Sequence, residues 1–224
     1  QKAIESSPNE ALYHYNAGAV LHSLGRLDEA LNHTQQAIHQ KPDYAEAYNE
    51  LGPLYQQMNR PDEALAASQQ ALTLAPAKAE YHRRMASAYS GMGQVEMTLT
   101  ELKLSVQMQP GNADAHNELG YSLEMSGQYE AALAEYQKAV AISPANPSYR
   151  CNIGSALRQL RRYDEALVYL KEAVELAPLD TEAHHQLGLT LTALGRFEEA
   201  AEEQRYATRL DPDNPSLAYH SGCS

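Results

Sequence analysis

Apolar and polar residues follow one another along the chain with the spacing of amphipathic helices. In the stretch LGPLYQQ, residues 51–57, Leu51, Leu54 and Tyr55 lie at helical spacing among polar residues. Pro53 interrupts this pattern. A proline has no amide hydrogen to donate and costs about 3 kcal/mol inside a helix. The pattern therefore predicts a helix that includes an unfavourable residue. Why the helix tolerates Pro53 depends on the larger unit to which it belongs.

The sequence repeats itself with a period of 34 residues. Prolines stand one period apart at residues 8, 42, 76, 110, 144, 178 and 212. Alanines keep the same step at residues 3, 37, 71, 139, 173 and 207, with Ser105 as the one departure. Two further sets of small residues repeat in the same way: Gly18, Gly52, Ala86, Gly120, Gly154 and Gly188, and Ala30, Ala64, Thr98, Ala132, Ala166 and Ala200. Four independent sets agree, so the period is not a coincidence.

The block YHYNAGAVLHSLGRLDEALNHTQQAIHQKP and its successors resemble the tetratricopeptide repeat. They carry a small residue at position 8, alanines at positions 20 and 27 and proline at position 32 of each repeat. The six full repeats are 11–44, 45–78, 79–112, 113–146, 147–180 and 181–214. The resemblance implies an all-α fold, a right-handed α-solenoid (superhelix) of antiparallel helix pairs forming one continuous domain.

The chemistry of the repeated positions agrees with helix pairs. Small residues at positions 8, 20 and 27 let two helices approach closely, and larger apolar side chains fill the seams. Asp28, Asp62 and Asp164, at position 18, are suited to cap the second helix of a repeat. Proline at position 32 ends that helix.

The two ends of the chain are predicted to be incomplete repeats. Residues 1–10 resemble the end of a preceding second helix, and residues 215–224 resemble the start of a seventh first helix. Arrays of repeats normally end in a polar cap. We therefore expect a segment of a longer protein whose uncapped ends associate end to end.

Composition and charge narrow the range of partners. The net charge is −12 and the pI is about 5.1, which argues against nucleic acid and anionic lipid as partners. No stretch approaches eighteen consecutive apolar residues, so we expect no membrane insertion. The two cysteines, Cys151 and Cys223, form no disulfide framework, which favours a reducing, cytoplasmic location.

No catalytic signature is present, and we expect neither enzymatic activity nor a cofactor or metal. His14, His82, His116 and His184 all fall at position 4 of their repeats, which favours a packing role between helices over metal binding. Cys151, at position 5, is interpreted as an unreactive thiol on the groove side.

The remaining candidate site is a surface. The resemblance implies that first helices line a concave groove through positions 2, 5, 6, 9, 12 and 13, and repeat proteins bind partners on that face. The predicted groove residues are Tyr15, Asn16, Glu46, Asn49, Glu50, Glu80, Arg83, Arg84, Asp114, Asn117, Glu118, Tyr121, Asn152 and Arg158. The groove is acidic with one basic island, so the expected partner is a basic protein or peptide segment along repeats 2–4. Two alternatives remain. The acidic residues simply form the solvated face of an acidic protein, or Arg84 serves only to neutralise Glu50 and Glu118.

Comparison within the family leaves three functions open. The carboxylate clamp of chaperone-binding members is absent, because its lysines are replaced by Leu12, Glu46 and Glu80. The asparagine ladder of the O-GlcNAc transferase-like subgroup is broken, although EAHHQLG and DAHNELG resemble that subgroup. The main prediction is a protein–protein interaction scaffold. The alternatives are a substrate-recruiting segment of a larger glycosyltransferase or sulfotransferase, and a self-associating assembly scaffold.

Pro53 lies at position 9 of repeat 2, on the groove side. Two interpretations remain open. The array tolerates a kink there, or the proline reshapes the groove and leaves the carbonyl of Asn49 as an acceptor for a partner.

Overall fold

The computed structural model describes residues 8–212, which are helical apart from short turns and contain no strand. The prediction of an all-α fold built from helix pairs is confirmed. The helices are Pro8–Ser23 (α1), Leu27–Gln40 (α2), Ala45–Gln57 (α3), Pro61–Leu74 (α4), Ala79–Gly91 (α5), Val95–Met108 (α6), Ala113–Met125 (α7), Tyr129–Ile142 (α8), Pro147–Gln159 (α9), Tyr163–Leu176 (α10), Thr181–Ala193 (α11) and Phe197–Leu210 (α12). Within these residues, none of the helices has the length and apolar character to span a bilayer.

The chain divides into two compact units, Gln1–Pro110 and Gly111–Ser224. Unit 1 contains α1 to α6 and unit 2 contains α7 to α12. In each unit, every odd-numbered helix packs most extensively against the even-numbered helix that follows it. These are the first and second helices of one repeat.

Glycine at position 8 lets the two helices of a repeat come into close contact. A Cβ atom added to Gly154 would lie 2.5 Å from Leu170 Cγ, and one added to Gly120 would lie 2.6 Å from Tyr136 Cδ1. Both distances are too short for real atoms, so the packing of α9 on α10 and of α7 on α8 requires glycine. The alanines at position 27 are as tightly enclosed, because Ala139 is fully buried.

The turn between the two helices of a repeat always places position 15 in the left-handed region. Four of the six residues are glycines, whereas Asn59 has φ 56° and Arg161 has φ 58°. Left-handed backbone costs an L residue about 1–2 kcal/mol. Repeats 2 and 5 therefore keep the turn geometry despite a less suitable residue.

Helix ends correct one prediction. The second helices have no side-chain cap, and Asp28, Asp62 and Asp164 lie inside the first turn of their helices. Their carboxylates therefore complement the helix dipole but do not cap. Pro8 is the first residue of α1, a position to which proline is suited. Residues 1–7 and 215–224, which carry the rest of the predicted end segments, lie outside the described residues.

Actual caps occur on first helices in unit 2. Asn112 Oδ1 accepts from the amide of Ala115, Asn146 Oδ1 from Ser148, and Asp180 Oδ1 from Glu182 and Ala183. At the starts of four second helices, an arginine instead pairs with a glutamate three residues later: Arg26–Glu29, Arg60–Glu63, Arg162–Glu165 and Arg196–Glu199.

Candidate functional site

Positions 2, 5, 6, 9, 12 and 13 of the first helices are here named the first-helix surface, and they are described separately for each unit. In unit 1 this surface begins with an aromatic and acidic cluster. The rings of Tyr15 and Tyr44 lie 5.2 Å apart. Burial first, and then the carboxylates of Glu50 and Glu46, raise the pKa of Tyr15. Burial, followed by Glu46, raises the pKa of Tyr81 to about 12. The phenols therefore stay neutral beside the exposed Glu46 carboxylate.

The other predicted residues of unit 1 on α1 and α3 differ in their hydrogen bonding and exposure. His22 Nδ1 lies 2.6 Å from Glu50 Oε1, so the carboxylate of repeat 2 accepts a hydrogen bond from a side chain of repeat 1. Asn49 Oδ1 is buried and accepts no hydrogen bond from residues 8–212. Asn16 is exposed on α1. Helix α3 runs through the half-buried Pro53 without interruption.

The basic island of unit 1 is paired within its own helix. Arg84 Nε lies 3.0 Å from Glu80 Oε1, and Arg83 Nη1 lies 3.5 Å from Glu80 Oε2. The alternative that Arg84 neutralises Glu50 and Glu118 stays a prediction, and the carboxylate in contact with Arg84 is that of Glu80. Glu80 lies one helical turn from Arg84 and is the nearer carboxylate, while Glu50 is bound by His22.

In unit 2, hydrogen bonds join the first helices of successive repeats. Tyr149 donates its hydroxyl to Asp114 Oδ1 at 2.5 Å. Asn152 Nδ2 donates to Asn117 Oδ1 at 2.7 Å. Glu118 is half-buried one turn further along α7. The predicted residues Asp114, Asn117 and Asn152 are thus brought together, and the partner hydroxyl of Tyr149 was missed because position 3 is not a groove position.

A pocket of about 430 Å³ opens on the first-helix surface of unit 2. The predicted residues Tyr121 and Asn152 line it. The remaining lining residues are Glu124, Met125, Tyr129, Cys151, Ser155, Gln159, Glu182 and Gln186. Tyr121 is 55% exposed, so its ring is available to a partner.

The carboxylate of Glu124 is fixed in this pocket by two hydroxyl groups. Ser155 donates to Oε1 at 2.7 Å, and Tyr136 donates to Oε2 at 2.8 Å. A similar contact occurs in unit 1, where Ser87 donates to Gln56 Oε1. A serine at position 9 therefore donates to the side-chain acceptor at position 12 of the preceding repeat. The spacing between these two positions could have been found in the sequence.

Arg158 lies beside the pocket and binds an amide. Its Nη2 donates to Gln186 Oε1 at 3.0 Å, and Gln186 Nε2 donates to Glu182 Oε1 at 2.6 Å. Burial first, and then the charges of Asp180 and Glu182, raise the pKa of Cys151 to about 12. Burial and the raised pKa favour the interpretation of Cys151 as an unreactive thiol.

The position-4 histidines lie between the two helices of their own repeat, as predicted. His82, His116 and His184 each place Nδ1 2.6–2.7 Å from a glutamate on the following helix. Within residues 8–212, no group of three or more His, Cys, Asp and Glu side chains is arranged to hold a metal ion.

The fold and this surface together define a class, namely a repeat protein whose units are antiparallel helix pairs. Matches to sequence-family models identify the type of repeat. Models described as tetratricopeptide repeat match residues 45–78, 102–134 and 151–215, and a TPR repeat model matches residues 20–59 and 125–160. The chain is therefore built of tetratricopeptide repeats (TPRs). No curated protein sequence matches it.

Solved structures share the fold. The APC/C hetero-tetramer Cut9-Hcn1 matches with a TM-score of 0.82 at 16% identity, over 97% of this chain and 43% of that chain. PilF of Pseudomonas aeruginosa matches with a TM-score of 0.81 at 17% identity, over 95% of this chain and 97% of that chain. YrrB, described as a TPR protein with an unusual peptide-binding site, matches with a TM-score of 0.65 at 24% identity, over 84% and 96%. This chain thus spans less than half of the length of the Cut9-Hcn1 chain.

Proposed function

We propose that this chain is a protein-interaction scaffold that binds a basic, extended or helical segment of a partner protein on its first-helix surface. TPR repeats are typical of protein–protein interaction scaffolds, and one structural relative is described as having a peptide-binding site. The observation that carries the proposal is that side chains of adjacent repeats hold three carboxylates of this surface by hydrogen bonds.

These hydrogen bonds matter because they preorganise the carboxylates for binding. A side chain that is already ordered loses less entropy when a partner binds. Glu50 is held by His22, Asp114 by Tyr149 and Glu124 by Ser155, each time from an adjacent repeat. A merely solvated acidic face would not need such bonds.

The sign of the charge sets the partner. In unit 2 the first-helix surface carries four carboxylates and one guanidinium: Asp114, Glu118, Glu124, Glu182 and Arg158. Unit 1 is closer to balance, since Arg83 and Arg84 both contact Glu80. A positively charged segment is attracted to such a surface, and the attraction weakens with salt.

Peptide display tests the proposal. A random peptide library is selected on the wild-type protein, on Glu46→Lys/Glu182→Lys, and on the control Glu96→Lys/Glu175→Lys, which changes the net charge equally on second helices. All four glutamates are exposed. We expect the wild type and the control to enrich sequences rich in Lys and Arg, and the first-helix variant to lose this enrichment. Equal enrichment by all three proteins would place the binding surface elsewhere.

A second candidate is a recruiting segment of a larger glycosyltransferase, in line with the subgroup resemblance. The asparagines at position 6, Asn16 and Asn152, favour it, and Asn152 Nδ2 also donates to Asn117 at position 5 of the preceding repeat. Replacing Asn117 and Asn152 by Ala would then abolish capture of protein substrates by the longer protein. Unchanged capture would exclude this role for the pair.

A third candidate is self-association through α1. Tyr13, Val20 and Leu24 lie at helical spacing and are 59–65% exposed. Sedimentation velocity at rising concentration should show a dimer that Val20→Lys removes. A monomer at all concentrations would rule it out.

A further inference from the structure

We infer that the pocket of unit 2 binds one arginine side chain of the partner segment. This inference rests on the proposed function and names the group that the surface recognises. The pocket, about 430 Å³ in volume, is formed by the first helices of repeats 4, 5 and 6 together with Tyr129 of α8. It is therefore built by the repeat architecture and is not a gap between loose side chains.

The pocket presents two carboxylates and no cation. Glu124 and Glu182 line it, and none of the lining residues is Lys, Arg or His. Neither carboxylate forms an ion pair within residues 8–212, whereas four glutamates at the starts of second helices each pair with an arginine. The nearby Arg158 donates to the amide of Gln186 instead. A cation from outside is therefore the missing partner.

The acceptor atoms suit a planar donor with several N–H groups. Each oxygen of Glu124 already accepts one hydroxyl hydrogen bond, and a carboxylate has about four acceptor positions. Glu182 accepts from Gln186 through Oε1 only, so its Oε2 accepts no hydrogen bond from the described residues. A guanidinium has five N–H donors in a rigid arrangement, which matches spread acceptors better than an ammonium group does.

The remaining lining supplies a stacking surface. Tyr121 is 55% exposed and Met125 is 69% exposed, although both are large and apolar. The guanidinium plane stacks on aromatic rings, and its aliphatic stem covers apolar surface. The thiol of Cys151 adds neither charge nor competition, because its raised pKa keeps it neutral.

Methyl NMR tests the inference directly. The chain has six methionines, and of these only Met125 lines the pocket, so ¹³C-methyl labelling gives one reporter and internal controls. The probe is N-acetyl-arginine amide, and its neutral isostere is N-acetyl-citrulline amide. We expect a saturable shift of the Met125 signal with the arginine probe only. No shift, or equal shifts with both probes, would overturn the inference.

Variants identify the groups responsible. Glu182→Gln should weaken binding of the arginine probe about two- to fivefold, the range for an exposed charge pair, while the control Glu175→Gln should leave it unchanged. Tyr121→Ala should weaken binding further, and Tyr121→Phe should restore it because the ring remains. Glu182, Glu175 and Tyr121 are exposed, so these changes leave the core intact.

The two proposals fail in distinguishable ways. Basic peptides enriched by the wild type together with a silent Met125 signal would overturn only the arginine pocket. A Met125 shift without enrichment of basic peptides would support the pocket and contradict the wider binding surface.

Discussion

His116 Nδ1 lies 2.6 Å from Glu135 Oε2 and joins the first helix of repeat 4 to the second. The same relationship, 19 residues apart in sequence, joins His82 to Glu101 and His184 to Glu203. Because a carboxylate accepts only, Nδ1 carries the proton in all three pairs. In His184 the other ring nitrogen also faces an acceptor, the carbonyl of Pro178 at 3.0 Å.

The His116–Glu135 pair should contribute measurably to the stability of repeat 4. We expect a double-mutant cycle with His116→Phe and Glu135→Gln to give a coupling free energy of about 1 kcal/mol, since the hydrogen bond is charged and half-buried. Urea unfolding followed by circular dichroism measures it. Lys138→Met, which removes the exposed partner of Glu135, should cost less. A coupling near zero would mean that the pair is incidental.

Acid should weaken the same contact. Burial alone raises the pKa of Glu135, but hydrogen bonds from Lys138 and His116 outweigh it, so the pKa lies below its usual value of 4.5. The stabilisation is therefore complete above about pH 4.5 and is lost as the pH falls through the lowered pKa. Glu135→Gln should flatten this part of the stability profile relative to the wild type. Parallel profiles would contradict the assignment.

The glycines at position 8 should resist even the smallest substitution. In Gly154→Ala the new Cβ would meet Leu170 Cγ at 2.5 Å, and Leu170 is fully buried. We expect a loss of about 1–3 kcal/mol in the free energy of unfolding, typical of overpacking. Gly111→Ala is the control, because nothing lies within 4 Å of its added Cβ. Equal effects of the two changes would disprove the steric explanation.

The turn at position 15 offers a stabilising change. Arg161 is exposed and left-handed, so Arg161→Gly should remove strain and raise stability by about 0.5 kcal/mol after the entropy of glycine is subtracted. In the opposite direction, Gly127→Ala should lower stability by about 1 kcal/mol although no atom lies near its added Cβ. Thermal unfolding of both variants measures the difference.

The sequence predicted those features that the repeat imposes six times. Gly154 and Ala139 are small because two helices touch there, and a constraint of this kind leaves the same residue type at each period. Pro178 follows the end of α10 by two residues for the same reason. Such positions can be read from periodicity because each repeat solves the same packing problem.

Features that depend on a contact between two different residue types were harder to predict. The aspartates at position 18 resemble caps, but Arg26 occupies the cap position and pairs with Glu29 instead. The histidine and glutamate pairs are always 19 residues apart in sequence. Because each pair combines two residue types, a search for one repeated residue type does not find it. The pocket depends on Glu124 being held by Ser155, a contact between repeats that no single repeat shows.

Repeat 3 should be the least protected part of the chain away from its ends, within residues 91–106. Thr98 and Ser105 stand where the other repeats have alanine, so each hydroxyl must find a backbone partner or remain costly. Both find one, because Thr98 donates to the carbonyl of Gln94 and Ser105 to that of Ala79, both at 2.9 Å. The expectation therefore rests on helix α6 itself. It contains four β-branched residues, and Gln94 and Met97 stand where repeats 1, 2, 5 and 6 have an arginine and glutamate pair.

Hydrogen exchange detected by mass spectrometry measures this directly. A β-branched residue whose hydroxyl bonds back to the preceding turn weakens a helix slightly. Thr98→Ala should therefore slow exchange within residues 91–106 and raise stability by about 0.5 kcal/mol. Ser105→Ala should not, since it removes a hydrogen bond that ties α6 to the start of α5. Uniform protection of all repeats, or an unchanged rate in Thr98→Ala, would show that α6 is not the weak element.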